Sequence, residues 1–374
     1  MKWHFPKGQV SIYDQPMSQY DLTVLIPCLN ESESLPDLLE DLNAQRGIAL
    51  QVLVCDGGST DGSQALAREK GATVIEASRG RAKQMNLGFQ SAQSENCFFL
   101  HADSRLKNPD LLRKALSSLE KKIQAAPNTV VAGHFGLKFI QETDDNNWAF
   151  RWLEEKTRTN RLHSINGDQG LLITRTDFQK LGQYDESMNF LEDQKIAAKI
   201  FDEGEWVLLP GELWTSGRRF ETEGFHRRYI LMSLIMGLYW TGTHEFFVRA
   251  RDVYKNQDDT SELMLAPFAK AIWDMHRFDL GFWGSIKTWF KVGHYVRTNS
   301  WQLFFFFDVA FRNLLGEGRY PFTWFHDKIF WPITNNRLCD AINTFLTVVW
   351  FMGVLGPYFV VTEAFQGTAK LQKQ

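Results

Sequence analysis

The sequence predicts an α/β fold over about its first 225 residues, followed by an aromatic-rich and mainly helical region. In the first 225 residues, short apolar runs alternate with helix-like segments, and several of these runs end at Gly, Pro or Asp. Aromatic residues make up 14% of the chain and are concentrated after residue 225. Because single cores stop growing near ~250–300 residues, we expect an N-terminal arm (1–20), an α/β domain (21–225) and a helical domain (226–374).

The first hundred residues predict strands that alternate with helices. Such alternation is typical of a parallel sheet with helices on both faces. Polar residues just after the carboxyl ends of such strands line a ligand crevice, and Asn30, Asp56 and Asp103 take these positions. The predicted strands are 21–27, 51–55, 72–76, 96–100, 130–140 and 167–174, and the predicted helices are 35–45, 63–70, 81–92, 148–157 and 193–203.

Charge and cysteine content exclude several classes of protein. The formal net charge is only -3, with 41 basic and 44 acidic residues, so no overall field attracts nucleic acid. None of the four cysteines forms a C-x-x-C pair, and three lie in or beside strand-like runs, which predicts reduced thiols in a cytoplasmic protein. Residues 1–20 contain no apolar core, so no secretory signal is predicted there.

Two basic or acidic turns could bind a nucleotide. In the turn 55–63, two glycines permit close backbone approach to a ligand, and Asp56 could accept hydrogen bonds from a base or ribose. A plain turn, with Asp61 as a helix cap, is the alternative. Arg79, Arg81 and Lys83 surround a predicted helix start, where cations and free amides suit a diphosphate. A solvated basic turn is the alternative there.

Acidic residues at two later positions could carry chemistry. Asp103 follows an apolar strand and could bind Mg²⁺ or Mn²⁺, with His101 as a second ligand or an orienting partner; an exposed loop aspartate is the alternative. Glu192 and Asp193 precede a predicted helix, as caps or as a general base. Adjacent helical residues point about 100° apart, so we expect only one of them to face the crevice.

Taken in order, these segments resemble the family 2 glycosyltransferases. The resemblance covers about 20–224 and is closest to a small bacterial subgroup with a histidine before Ala102-Asp103 and a Gly-Asp-Gln motif, some of whose members are described as arsenosugar-pathway transferases. The segments that carry it are 23–31, 56–63, 79–88, 100–104, Gly167-Asp168-Gln169, Leu191-Glu192-Asp193 and 215–220.

The resemblance implies a GT-A fold (Rossmann-like, of the nucleotide-diphospho-sugar transferase kind), a nucleotide-diphosphate sugar donor, a divalent cation and an inverting displacement. Asn30 would belong to the donor crevice and Asp56 would contact the nucleoside. Arg79, Arg81 and Lys83 would bind the diphosphate, and Asp103 would bind the metal. Asp193 would be the general base. Arg218 and Arg219 would contact the donor phosphates or the acceptor.

Two departures from the family pattern bear on the metal. The chain has Gly57 and His101 where many members have aspartate, so we expect weakened or altered metal dependence.

Two other functions are alternatives to sugar transfer. A sugar nucleotidyltransferase would open with a Gly-rich loop ending in Lys or Arg, which 25–29 lacks. A non-catalytic nucleotide-sugar-binding or membrane-associated scaffold protein that retains the fold stays open.

The C-terminal third leaves three interpretations open. The apolar run 229–240 is too short to span a bilayer, which takes about 20 residues. The uncharged run 341–362 is long enough, although Asn343, three threonines and Pro357 interrupt it. Besides a span, the region could pack on itself or on a second copy, or lie in a membrane interface. We expect a peripheral protein on the cytoplasmic membrane face, with an unidentified, lipid-linked acceptor.

Overall fold

A computed structural model describes residues 19–142, 148–188, 190–255, 263–316 and 318–371. The chain divides into two compact units. The first holds the residues up to Ile140 together with Leu153–Ser216, and the second holds Gln141–Trp152 and the residues from Gly217 onward. The division after residue 225 that composition predicts therefore falls at the start of a helix of the second unit. The predicted boundary is based on where the aromatic content rises, whereas the two units are defined by contacts between residues.

The first unit is built on one seven-stranded sheet in the order β3-β2-β1-β4-β6-β5-β7. β6 runs antiparallel to both of its neighbours, β4 and β5, and the other pairs are parallel. The predicted all-parallel sheet is therefore mixed, because hydrophobic alternation reports burial and not strand direction. The strands are β1 Leu22–Cys28, β2 Leu50–Asp56, β3 Thr73–Glu76, β4 Asn96–Phe99, β5 Val130–Ile140, β6 Leu171–Thr174 and β7 Gly204–Ser216.

Helices cover this sheet, and its inner strand β1 is buried on both faces. Val24, Leu25 and Ile26 are successive residues of β1 and all are fully buried, as a continuous apolar run in a covered sheet predicts. The helices of this part of the chain are α1 Leu35–Asn43, α2 Ser63–Glu69, α3 Arg81–Gln90, α4 Leu111–Ala125, α5 Trp148–Lys156, a 3-10 turn Gly167–Gln169, α6 Arg175–Lys180 and α7 Glu192–Glu203.

The second unit is helical and has its own core. Leu231, Phe246, Phe268, Met275 and Phe351 are among the side chains buried there. Its helices are α8 Arg218–Glu223, α9 Phe225–Trp240, α10 His244–Lys255, α11 Ala266–Asp274, α12 Gly281–Thr298, α13 Trp301–Ala310, α14 Arg312–Leu315, α15 Pro321–Phe325, α16 Trp331–Thr334, α17 Arg337–Val348 and α18 Gly356–Leu371, with π-helical turns at Met275–Leu280, His326–Phe330 and Val349–Leu355.

Within the described residues, one stretch of helix has the length and composition to cross a membrane. It runs over Arg337–Phe365 and has a mean hydropathy of 1.8 over its most apolar window, only 11% of which is buried. A buried core helix of a soluble protein can pass the same test of length and composition, so the surroundings of this helix decide its meaning.

Candidate functional site

The carboxylate of Asp56 shapes the turn after β2. It accepts hydrogen bonds from the backbone N–H groups of Gly58 (2.9 Å) and Ser59 (2.9 Å), from the Ser59 hydroxyl, and from Nε2 of Gln64 (2.7 Å). Burial acts to raise the pKa of Asp56, but these hydrogen bonds outweigh it and the pKa is lowered. Asp56 is thus an ionised, turn-forming carboxylate, and its contact with the nucleoside stays a prediction.

Asn30 joins the loops that follow β1 and β2. Its Oδ1 accepts from the Thr60 N–H (2.9 Å), and its own N–H donates to the Ser59 hydroxyl (2.9 Å). The residue has a φ of 56°, a conformation that asparagine tolerates better than most residues. Asn30 therefore holds two strand-end loops together at the edge where the crevice was predicted, and its role in donor binding stays a prediction.

The structure explains why glycine stands at position 57. Gln84 of α3 is buried, and its Nε2 donates to the carbonyls of Cys28 (2.7 Å) and Cys55 (2.7 Å). A Cβ added at Gly57 would lie 3.1 Å from the Gln84 side-chain amide. An aspartate at position 57 would therefore crowd the glutamine that ties α3 to both strand ends.

The basic start of α3 places one of its three exposed cations beside a buried acid. Arg79, Arg81 and Lys83 are all exposed. The Arg81 guanidinium Nη1 lies 3.4 Å from Oε1 of Glu192, whose side chain is 1% exposed. Burial is the largest influence on Glu192 and raises the pKa of its carboxyl, with Arg81 opposing it. Arg81 is thus held toward α7 by a buried carboxylate.

The turn after β4 presents His101 and Asp103 differently. The Ser104 N–H donates to the His101 carbonyl (3.2 Å), which closes a tight turn that leaves Asp103 exposed. Burial, followed by the charge of Arg81, lowers the pKa of His101 to about 3. His101 is therefore a neutral imidazole at physiological pH, available as a hydrogen-bond partner but not as a charge.

Each residue of the Gly-Asp-Gln motif has a separate structural role. A Cβ at Gly167 would lie 2.9 Å from Nε2 of His101, so only glycine lets this loop approach so closely. Gln169 locks the loop, since its Nε2 donates to the Ser164 carbonyl (2.7 Å) and its Oε1 lies 2.9 Å from Nδ1 of buried His134. Asp168 has a buried Oδ1 with no hydrogen-bond partner.

The start of α7 is fixed on that same loop. The Gly167 N–H donates to Oδ2 of Asp193 (2.6 Å), and Nε2 of Gln194 donates to the Ile165 carbonyl (2.9 Å). Leu191, the preceding residue, has a φ of 62°, which costs a non-glycine residue roughly 1–2 kcal/mol and is typical of functional sites. The structure therefore uses both hydrogen bonds and a strained turn to place Glu192 and Asp193.

Residues of α3, the turn after β4, the Gly167 loop and α7 line a cleft in the first unit. Arg81, His101, Tyr184, Glu192 and Asp193 all contribute to its lining. Contrary to the expectation from helical spacing, both acids of the pair reach it. The Glu192 side chain is buried and pairs with Arg81. The Asp193 side chain contacts the Gly167 loop. The cleft therefore joins a cation, a neutral imidazole and an ionisable acid.

Two carboxylates near this cleft have the chemistry that a divalent cation needs. Burial, and then the negative charges of Asp193 and Asp103, raise the pKa of Asp168 to about 7. The unpaired Asp168 oxygen and the exposed Asp103 carboxylate are hard oxygen donors that fit Mg²⁺ or Mn²⁺. No group of three or more His, Cys, Asp or Glu side chains within the described ranges is arranged to hold a metal by itself. Asp103 as the metal ligand stays a prediction.

Arg218 and Arg219 lie in the second unit. They are exposed and form the first residues of α8. Their assignment to the donor phosphates or the acceptor stays a prediction.

The raised pKa of Asp168 predicts a pH-dependent stability. The carboxyl keeps its proton up to about pH 7 when folded but loses it near 3.8 when unfolded, so the free energy of unfolding falls as the pH rises between these values. Asp168→Asn should therefore exceed the wild type in stability at pH 8 by about 2–4 kcal/mol, and this gain should vanish toward pH 4. Denaturant unfolding at both pH values in metal-free buffer measures it, and an equal difference at both would contradict the assignment.

Part of the chain is similar to a known family of proteins. Residues 23–182 match the model of the family described as Glycosyl transferase family 2. An uncharacterized glycosyltransferase of Mycobacterium tuberculosis H37Rv is 34% identical over 101 residues, which are 27% of this chain and 44% of the relative. The succinoglycan biosynthesis protein ExoA of Rhizobium meliloti is 25% identical over 204 residues, which are 49% and 60% of the two chains. The chain thus matches less than half of the length of the mycobacterial relative.

Solved structures with a similar arrangement include two nucleotide complexes. The mannosyltransferase PcManGT from Pyrobaculum calidifontis, in complex with GDP-Man and Mn²⁺, has a TM-score of 0.41 and 18% identity over 80% of this chain and 89% of its own. The S. aureus TarS fragment 1–349, in complex with UDP, has a TM-score of 0.42 and 15% identity over 76% of this chain and 75% of its own.

The finer likeness to arsenosugar-pathway transferases stays a prediction. The mixed sheet with its helical layers and the helical second unit confirm the predicted fold class. Over residues 23–182, which are less than half of the chain, the protein is similar to the family 2 glycosyltransferases.

Proposed function

We propose that the protein transfers a sugar from a nucleotide-diphosphate donor to a hydroxyl group of an acceptor, with inversion at the anomeric carbon. The observation that carries this proposal is the convergence of Arg81 and Asp193 on one cleft. A leaving diphosphate needs a cation, and an attacking hydroxyl needs a base. The two side chains come from helices about a hundred residues apart in the chain, so the fold brings them together.

Asp193 is the proposed general base. Its Oδ2 accepts from the Gly167 N–H (2.6 Å), which fixes the carboxylate. Asp193 takes the proton of the acceptor hydroxyl while the hydroxyl oxygen bonds to the anomeric carbon. The bond from that carbon to the diphosphate oxygen breaks on the opposite face, and the diphosphate leaves with the electron pair.

The start of α3 is the proposed diphosphate site. Arg81, Arg79 and Lys83 supply positive charge there, and the helix dipole adds to it. Glu192 orients Arg81 through their 3.4 Å ion pair. A divalent cation held by Asp103 would neutralise charge on the diphosphate oxygens. Asn30 and Asp56, in the loops after β1 and β2, would border the nucleoside.

The acceptor and the location extend the same proposal. We place the reaction on the cytoplasmic face of a membrane with a lipid-linked acceptor. Two observations support this: Cys28, Cys55, Cys97 and Cys339 are all free, as in a reducing compartment, and the second unit exposes many aromatic side chains.

Thermal unfolding with a panel of nucleotides tests donor binding. UDP or GDP, with its cognate sugar nucleotide and Mn²⁺, should stabilise the protein by about 2.7 kcal/mol at 100 times Kd. Arg81→Ala should lose most of this stabilisation, because the diphosphate loses its cation. Arg113→Ala removes an exposed arginine of α4 and should keep it. A protein whose unfolding responds to no nucleotide in the panel would contradict the proposal.

A further inference from the structure

The helix over Arg337–Phe365 has its polarity reversed relative to a helix in water. Its exposed face carries Leu338, Phe345 and Phe365, which are 70%, 67% and 72% exposed. Its two acidic side chains, Asp340 and Glu363, are instead buried. A soluble surface helix buries its apolar stripe and exposes its charges, so this helix is built for apolar surroundings.

The buried acids are satisfied from inside the unit. Asp340 accepts from Nε of Arg297 at 2.5 Å. Glu363 pairs with Arg227 at 2.9 Å and also accepts from the Leu265 N–H at 2.8 Å. Burying ion pairs in this way gains little stability in water. It is the arrangement that keeps charged groups away from hydrocarbon.

The same helix packs on α12 through small and polar residues. A Cβ added at Gly293 would lie 2.6 Å from Cα of Thr344, so the two backbones touch at this point. Nδ2 of Asn343 donates to the Gly293 carbonyl at 2.8 Å. Close backbone approach at glycine and hydrogen bonds between helices are typical of helix packing in lipid, where burial of apolar surface drives no association.

The reversal extends to the neighbouring short helices. Thr323 and His326 are buried, whereas Leu303, Leu314, Trp324 and Ile333 are 61%, 84%, 59% and 69% exposed. In addition, Asp308 is buried and accepts from the Phe322 (2.9 Å) and Thr323 (2.7 Å) N–H groups. Every helix or π-helical turn from α11 to α18 exposes at least one large apolar side chain. The exposed apolar side chains therefore come from all of these elements and not from one helix alone.

The charges of this surface complement anionic lipids. Over the described residues 281–316 and 318–365, the exposed Lys, Arg, Asp and Glu side chains are cations except for Asp327. Those cations are Lys287, Lys291, Arg319, Lys328 and Arg337. Basic groups bordering an apolar surface are attracted to anionic headgroups. The uncharged run 341–362 is about 33 Å long at 1.5 Å per residue, close to the ~30 Å hydrocarbon thickness.

We propose that the exposed apolar surface of residues 281–316 and 318–365 lies in the hydrocarbon of a lipid bilayer, with the exposed cations at the headgroups, so that the protein is an integral rather than a peripheral membrane protein. The proposal goes beyond sugar transfer and is independent of it. A soluble enzyme with full transfer activity would refute the embedding alone, and an embedded protein without donor turnover would refute the transfer alone.

Membrane extraction of the full-length protein tests the embedding. After cell lysis the protein should sediment with membranes, stay there through high-salt and alkaline carbonate washes, and be released by detergent. Release by carbonate would show that the protein is attached only to the membrane surface. A stable soluble dimer without detergent would show that a second copy covers this face. Either outcome overturns the embedding.

A pair of matched variants places the surface in the acyl chains. Phe345→Asp combined with Leu346→Asp should lower partition of the purified protein into anionic liposomes about tenfold or more, because charged residues are costly in hydrocarbon. Phe345→Leu should leave partition unchanged. Both variants must keep the wild-type circular dichroism in detergent. Lipids brominated on the acyl chain should quench the wild-type tryptophan fluorescence, and unchanged partition of the double variant with no quenching would contradict the proposal.

Discussion

Asp193→Asn is expected to lower turnover about 10²–10⁴-fold while leaving donor affinity nearly intact. The amide keeps the shape of the side chain and its place beside the Gly167 N–H, but it cannot take the proton of the acceptor hydroxyl. Steady-state kinetics with the accepted sugar nucleotide give kcat, and calorimetric titration of the same donor gives the affinity.

Glu192→Gln is the matched control for this experiment. Glu192 holds Arg81 from the buried side of the cleft, so its loss should weaken donor binding and raise the donor KM with a much smaller change in kcat. Near-normal transfer by the Asp193 variant would reject the general-base role. Asp168 would then be the next candidate for the general base. Its Oδ1 is buried without a hydrogen-bond partner, and the negative charge of Asp193 contributes to the raised pKa of its carboxyl.

Asp103→Ala is expected to abolish metal-dependent donor binding. Asp103 is an exposed carboxylate on the turn that closes after β4, and the alanine removes its oxygen ligands from the position assigned to the cation. Titration of a uridine or guanosine diphosphate sugar, with and without Mn²⁺, should show that Mn²⁺ no longer improves the affinity of this variant.

Asp110→Ala controls for the loss of a partly exposed carboxylate. Asp110 precedes α4 and lies 3.7 Å from Lys114, so its removal should leave the effect of Mn²⁺ unchanged. Undiminished Mn²⁺-dependent affinity in the Asp103 variant would overturn the metal assignment.

The buried strands and their neighbouring helices could be predicted from local pattern. β1 is predicted at 21–27 and found at Leu22–Cys28, and β5 is predicted and found at 130–140. Uninterrupted β-branched and aromatic runs bounded by turn residues leave few other possibilities. β7, which forms one edge of the sheet, was not predicted. Its segment contains Pro210 and Gly211, which are typical of a turn.

The partners within the site could not be predicted from spacing. Gln84 with Gly57, Arg81 with Glu192, and Gly167 with Asp193 each join residues from different elements. The periodicity of apolar residues along the chain does not show which residues of different elements come into contact. The family resemblance identified the acids and the basic turn, whereas the structure supplies the reasons for Gly57 and for a buried Glu192.

A sequence signal did exist for the reversed polarity of the second unit. Asp340, Asn343, Thr344 and Thr347 lie at helical spacing and form a polar stripe on an otherwise apolar helix. Hydropathy averaged along the chain treats these residues as interruptions of a span. Only the burial of Asp340 and the hydrogen bond from Asn343 to the Gly293 carbonyl identify this stripe as facing the inside of the unit.

Product analysis of the reaction tests the central claim most directly. The purified protein, in detergent with lipid extract as acceptor, is offered a panel of nucleotide sugars with Mn²⁺. Nucleoside diphosphate release and the anomeric configuration of the product, the latter by NMR, are then measured. We predict that one donor is consumed, that the product anomer is inverted, and that Asp193→Asn prevents both. Binding of a nucleotide sugar without any turnover, or a product that retains the donor configuration, would contradict the proposal of an inverting glycosyltransferase.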